Sequence, residues 1–171
     1  MRKNILIIRS ANFSVIDLLI DYILKNNERP NIFFISQEAG VSSIKERFLD
    51  GNIYIYPNGS FNYKTLNKNK HLADSINKII YDEIYMPSSY ENFDDFQEIK
   101  LILSTIKREK TFSFNCYGKI TELSLDFKVL YFNYKFMFPF KFIFSLLVTG
   151  IVCFISIISH IIKYHVLKNE V

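Results

Sequence analysis

The chain has 171 residues, a net charge of +4 and a high aromatic share drawn from Phe and Tyr, with no Trp. That length suits one domain and an appendage. The charge is too small, and too little interleaved with aromatics, for a nucleic-acid groove, so nucleic acid is excluded as a partner; the two cysteines, Cys116 and Cys153, form no disulfide framework and read as small hydrophobes in a reducing compartment.

Asn4–Arg9 (NILIIR) is a short apolar run, the pattern of a strand buried on both faces. Its length and the charge at Arg9 do not suit a signal peptide. Ser14, three residues before Asp17, predicts a capping-box start for a helix to about Lys25. Val15, Ile16, Leu18, Leu19, Ile20, Ile23 and Leu24 are its apolar positions, and Asp17, Asp21 and Lys25 form a solvent stripe. Pro30 separates it from a second strand, Asn31–Ser36. A short helix around Ser42–Leu49 ends at Asp50-Gly51. Asn52–Tyr56 is a third strand, closed by the turn residues Pro57-Asn58-Gly59.

The polar, lysine-rich residues 60–70 read as a loop, and a helix is predicted over about Lys70–Ile80. Glu83–Met86 is a fourth strand and Pro87–Asn92 its exit loop. Phe93, Phe96, Ile99, Leu103 and Ile106 then mark an amphipathic helix, with Asp94 and Asp95 in its first turn. Thr111–Cys116 is a fifth strand, followed by a Tyr117-Gly118 turn into Lys119–Leu125. Strands alternating with helices predict an α/β fold: a Rossmann-like parallel sheet of about five strands with helices on both faces, over residues 1–127.

An aromatic and basic segment, residues 128–141, precedes an uncharged apolar run from Phe142 to Ile162. As a helix this run is about 31 Å long, enough for a bilayer's hydrocarbon core. Lys141 and Lys163 bracket it, and residues 163–171 are a short tail. The fold class therefore includes one C-terminal transmembrane helix; a buried core helix, or a re-entrant hairpin turning near Gly150, is the alternative. The lysines before the span outnumber those after it by one, which places the α/β domain on the cytoplasmic side of a single-pass cell-membrane anchor.

Ligands of open α/β sheets gather at the carboxyl ends of the strands. The exit loops here are Arg9–Phe13, Ser36–Gly40, Pro57–Ser60 and Pro87–Asn92, rich in groups that bond sugar hydroxyls. The candidate ligand-binding residues are Arg9, Ser10, Asn12, Ser88, Ser89, Tyr90, Glu91 and Asn92, each with an ordinary turn or cap role as its alternative. No catalytic residue is assigned; Glu91 is the candidate, set against a role at the start of the next helix. No GxGxxG, GxxxxGK[ST] or GxSxG occurs, and His and Cys do not cluster at ligand spacing, so neither cofactor nor metal is expected.

The opening Ile5-Leu6-Ile7-Ile8-Arg9-Ser10, with the Pro87–Asn92 loop, resembles the N-terminal half of a GT-B glycosyltransferase, nearest the lipopolysaccharide heptosyltransferase group (glycosyltransferase family 9). The family's Gly-Asp pair, which carries the candidate base, falls on Ser14-Val15, so that acid is absent. A membrane helix stands where the donor-binding domain begins. The resemblance implies a membrane-anchored glycosyltransferase-like half-domain in envelope polysaccharide or lipid-linked glycan assembly, acceptor-binding or accessory. A separate donor-binding subunit would then supply any activity. The competing reading is a non-catalytic membrane-tethered α/β scaffold.

Overall fold

The computed structural model describes residues 2–48, 52–57, 59–93 and 95–169. The expected helix stop at Asp50-Gly51, the turn residue Asn58, Asp94, the side chains of Lys141 and Lys168, and the end of the tail lie outside the described residues. The chain divides into two compact units, Met1–Leu130 and Tyr131–Val171.

The first unit is a mixed α/β domain. Its elements run β1 (Asn4–Ile8), α1 (Phe13–Asn26), β2 (Asn31–Gln37), a 3-10 turn (Glu38–Gly40) leading into α2 (Val41–Arg47), β3 (Asn52–Tyr56), α3 (Tyr63–Lys68), α4 (Lys70–Ile76), β4 (Tyr81–Pro87), α5 (Gln97–Ser104), β5 (Arg108–Phe114) and β6 (Ile120–Glu122). The sheet order is β3-β2-β1-β4-β5-β6. The first five strands are parallel, with Ile7 of β1 level with Phe34 of β2 and Tyr85 of β4.

β1 sits mid-sheet, and its Ile5, Leu6, Ile7 and Ile8 are all fully buried. The period of two sends them to two cores. Ile5 and Ile7 pack with Val15, Leu19 and Ile23 of α1 and Ile44 of α2. Leu6 and Ile8 pack on the other face with Leu66, Leu72, Ile76, Ile102 and Leu103 of α3, α4 and α5. Each such side chain contributes about 1.5–3 kcal/mol of burial.

A sixth strand was not expected, and it makes the sheet only mostly parallel. Asn115 caps the turn after β5, its Oδ1 accepting from Tyr117 N at 3.0 Å and Lys119 N at 2.9 Å. Gly118 supplies the required left-handed residue at φ +77°. The chain doubles back, and Ile120, Thr121 and Glu122 pair antiparallel with Phe114, Ser113 and Phe112.

Other boundaries shift for identifiable reasons. The cap of α1 is Asn12 rather than Ser14: Asn12 Oδ1 accepts from Val15 N at 3.2 Å and from the Ser14 hydroxyl at 2.8 Å. Leu18 and Leu24, assigned to its apolar face, are about half exposed. Asp17 does not merely face solvent, because Arg47 of α2 pairs with it at 2.7 Å. The expected loop over 60–70 contains α3, which is capped from afar as well as locally. Glu98 Oε2 accepts from Tyr63 N at 2.8 Å, and Asn62 Oδ1 from Lys64 N at 2.9 Å. The helix predicted over 70–80 ends at Ile76, and Ile80 is exposed. α5 starts at Gln97, not Phe93. Phe93 and Phe96 reach the core through a turn, their rings edge to face at 5.5 Å, so Asp95 precedes the helix instead of lying in its first turn.

The second unit continues α6 (Phe127–Phe132) through a π-helical turn, Asn133–Met137, into α7 (Phe138–Asn169). α7 contains the whole Phe142–Ile162 run and is unbroken at Gly150. Thr149 Oγ1 bonds back to the Ser145 carbonyl at 2.9 Å, satisfying its hydroxyl within the helix. Apolar side chains point outward all round, from Phe142 through Ile151 to Ile162, and none of the apolar window is buried within the chain. The helix is long and apolar enough to cross a membrane.

Candidate ligand cleft at the switch point

From β1 the chain builds toward β2 and β3 on one side, and from β4 toward β5 on the other. The carboxyl ends of β1 and β4 are therefore where the strand order reverses, and a crevice opens there. The two exit loops are stitched together across it. Ser10 Oγ donates to the Pro87 carbonyl at 2.6 Å, and Asn12 N donates to Ser89 Oγ at 2.9 Å. Ser10 N bonds back to the Ile8 carbonyl at 2.8 Å, a γ-turn that tips the chain off the sheet.

Beside this stitch lies an open cleft of about 500 Å³. Arg9, Ser10 and Ala11 form one wall, Gln37 from the end of β2 another, and Ser60 and Phe61 a third. Asp95, Phe96, Glu98 and Ile99 close the side toward α5. The loop bearing Ser60 and Phe61 is held at both ends. Gln37 Nε2 donates to the Gly59 carbonyl at 2.8 Å, and the Tyr56 hydroxyl accepts from Asn62 N at 3.0 Å while donating to the Asn62 carbonyl.

Of the eight sequence candidates, Arg9 and Ser10 line the cleft. Asn12 and Ser89 serve the stitch and the α1 cap. Ser88 is fully buried, its Oγ accepting from Tyr90 N at 3.0 Å and donating to the Asn92 carbonyl at 3.3 Å. It shapes the loop from inside. Tyr90, Glu91 and Asn92 are exposed and are not brought to the cleft wall. The Glu91 carbonyl accepts from Asn115 Nδ2 at 3.4 Å. Gln37 and Ser60 belong to exit loops that the sequence marks, though neither stood among the candidates. Glu98 carries no local signal, since its role as a cap for α3 appears only once the chain is folded.

Arg9 is the strongest electrostatic feature. Its backbone N extends the ladder to the Ile35 carbonyl at 2.8 Å. Its guanidinium lies 4.9 Å from the centre of the Phe13 ring, a cation–π contact. Gly40 makes room for its stem: a Cβ there would sit 2.8 Å from Arg9 Cδ and Nε and 2.6 Å from Ser36 Oγ. Arg9 Nε is buried and has no hydrogen-bond partner among the described residues. Of the acids lining the cleft, Glu98 is engaged by Tyr63 N and by Asn62 Nδ2 at 3.3 Å, and Asp95 is exposed. Among the described residues the lining contains neither His nor Cys. Among the described residues no group of three His, Cys, Asp or Glu could hold a metal ion. The cleft thus sets one cation, Arg9, an amide and hydroxyls beside two carboxylates, groups able to hold a polar ligand. Comparison with protein-family models, with curated proteins and with solved structures finds no match to this chain.

Proposed function

We propose that the chain is a membrane-anchored, glycosyltransferase-like half-domain of the GT-B kind, acting in envelope polysaccharide or lipid-linked glycan assembly. It binds or presents the acceptor at the cytoplasmic face of the cell membrane, and a separate subunit binds the sugar donor. The observation that carries this reading is the cleft at the switch point of a β3-β2-β1-β4-β5 sheet, with Arg9, Ser10, Gln37 and Ser60 in its lining, on the same chain as an apolar helix long enough to span a bilayer. The helix follows the domain where a GT-B enzyme would place its second Rossmann domain, which supports a two-subunit arrangement.

Transfer needs donor, acceptor and base held close together. Val15 stands where the resemblance calls for an acid, and it is buried in the core at 4% exposure. That favours an accessory role, and it equally favours the scaffold reading, in which the domain only recruits partners. The test is sugar transfer by the full chain in lipid nanodiscs, with radiolabelled nucleotide sugars and a lipid-linked acceptor. We expect none from the chain alone, and transfer when a donor-binding Rossmann subunit is added. Turnover by the chain alone that is abolished by Glu91→Gln but not by Asp17→Asn overturns the half-enzyme reading. Absence of transfer with every donor-binding partner leaves the scaffold.

A further inference from the structure

We infer that Arg9 is the anchor for a phosphoryl group, and that the ligand entering the switch-point cleft is a diphosphate ester. In taking that ester for the lipid end of a glycan acceptor, the inference rests on the function proposed above; the phosphoryl site itself rests on Arg9.

Arginines deep in a fold are ordinarily matched. Arg108 gives Nε to Thr111 Oγ1 at 2.7 Å, one terminal nitrogen to the Ile106 carbonyl at 2.8 Å and the other to the Leu125 carbonyl at 3.2 Å. Arg47, whose guanidinium lies 5.2 Å from the centre of the same Phe13 ring, pairs with Asp17 at 2.7 Å. Among the described residues Arg9 has neither kind of partner. No ion pair among the described residues involves it, and its buried Nε meets no acceptor. Nε is closed off from solvent, so an acceptor entering the cleft meets the terminal nitrogens of the guanidinium, which form no ion pair among the described residues.

The group is also held ready. Its backbone is fixed in the ladder, the Phe13 ring covers one face of the guanidinium, and only a glycine at position 40 lets its stem lie where it does. A planar fork in a fixed pose suits phosphoryl oxygens, which accept two parallel N–H bonds from one arginine. Of the two carboxylates lining the cleft, Glu98 is already bonded to Tyr63 N and Asn62 Nδ2, and Asp95 is exposed to solvent; neither forms an ion pair with Arg9. The cleft is open and far larger than one anion, leaving room for the rest of an ester.

The test is calorimetric titration of the full chain, in nanodiscs of zwitterionic lipid, with inorganic pyrophosphate. Saturable binding is expected, weakened at least about tenfold by Arg9→Met, less by Arg9→Lys, and unchanged by Lys119→Met. Should Arg9→Met fail to fold, Gly40→Ala serves, since its methyl would displace the Arg9 stem and lower affinity while the guanidinium remains. Competition by farnesyl diphosphate assigns the phosphate to a lipid end, and competition by uridine diphosphate assigns it to a nucleotide; either supports the site. No saturable binding, equal affinity in Arg9→Met and wild type, or displacement of pyrophosphate by glucuronate at equal concentration overturns it. Binding that depends on Arg9, with no sugar transfer under any pairing, removes the transferase reading and keeps the site. Transfer with unaltered pyrophosphate affinity in Arg9→Met does the reverse.

Discussion

Arg108→Lys tests how the end of the domain is held. Arg108 ties three points together: Thr111 in its own strand, Ile106 before it, and Leu125 beyond β6 on the way to α6. Hydrogen bonds to a charged group are worth about 1.5–3 kcal/mol each. Lysine keeps the charge and can reach one carbonyl, so two bonds go, one of them the long contact to Leu125. Thr111 is 2% exposed, and its hydroxyl then lacks its partner. The arginine is only half buried, and water compensates part of the loss, leaving a net cost of about 2–3 kcal/mol. For a unit of Met1–Leu130, each kcal/mol lowers Tm by about 3–5 °C. Thermal unfolding of the full chain in micelles should therefore shift down by about 6–15 °C. Hydrogen exchange should speed up over Ile120–Leu125 while β1, β2 and β4 stay protected. Unchanged exchange at Leu123 and a Tm within 2 °C of wild type (roughly 0.5 kcal/mol at that slope) would refute the role assigned to the guanidinium.

Burial raises the Tyr81 and Tyr85 hydroxyls well above the ordinary phenol value of 10.0. Above that pH the unfolded chain sheds protons that the fold retains, so stability must fall as pH rises. Lys3, raised chiefly by its hydrogen bond to Glu83, loses its contribution in the same direction. Urea midpoints should stay level from pH 8 until near the ordinary phenol value of 10.0 and decline beyond it, and Tyr85→Phe should flatten the decline; a profile level through pH 11 contradicts both assignments. Asp17→Asn should cost no more than about 1 kcal/mol, because the pair with Arg47 is exposed on both sides, and a larger loss by chemical denaturation would show that the contact does more than pin α2 to α1. Ile151→Lys should cost about 2.5–3.5 kcal/mol in a glycosylation-reporter insertion assay, and free tolerance of it removes the membrane assignment of α7.

The parts of the fold legible in the sequence were those with a strong local period. NILII and NIYIY are strands because their apolar residues run without a charge, and both lie where that pattern put them. What was illegible depended on distant partners. α3 forms on a lysine-rich stretch because Glu98, more than thirty residues away, caps it and Leu66 is buried beneath it. The apolar period through Phe93 and Phe96 imitates a helix, because a turn can deliver two rings to the same core. At the site, Arg9 was visible as a charge ending an apolar strand. Its lack of a partner was not, since that depends on Gly40 and on how Glu98 is engaged. Tyr90, Glu91 and Asn92 share a loop with Ser88, yet the turn inside that loop carries them to the surface.

The stitch between Ser10 and Pro87 joins residues 77 positions apart. Neither partner can bond until β4 has paired with β1, a parallel pairing that requires closing a long loop and is among the slower steps available to a chain. Until then the first exit loop lacks its bonds to Pro87 and Ser89. During synthesis β1, α1, β2 and β3 emerge first and can collapse together before Asp95, Phe96, Glu98 and Ile99 are there to close the cleft. β4 and β5 follow, and the apolar helix comes only after them. The order of elements along the chain thus lets the domain complete its cleft before the long apolar helix has left the ribosome.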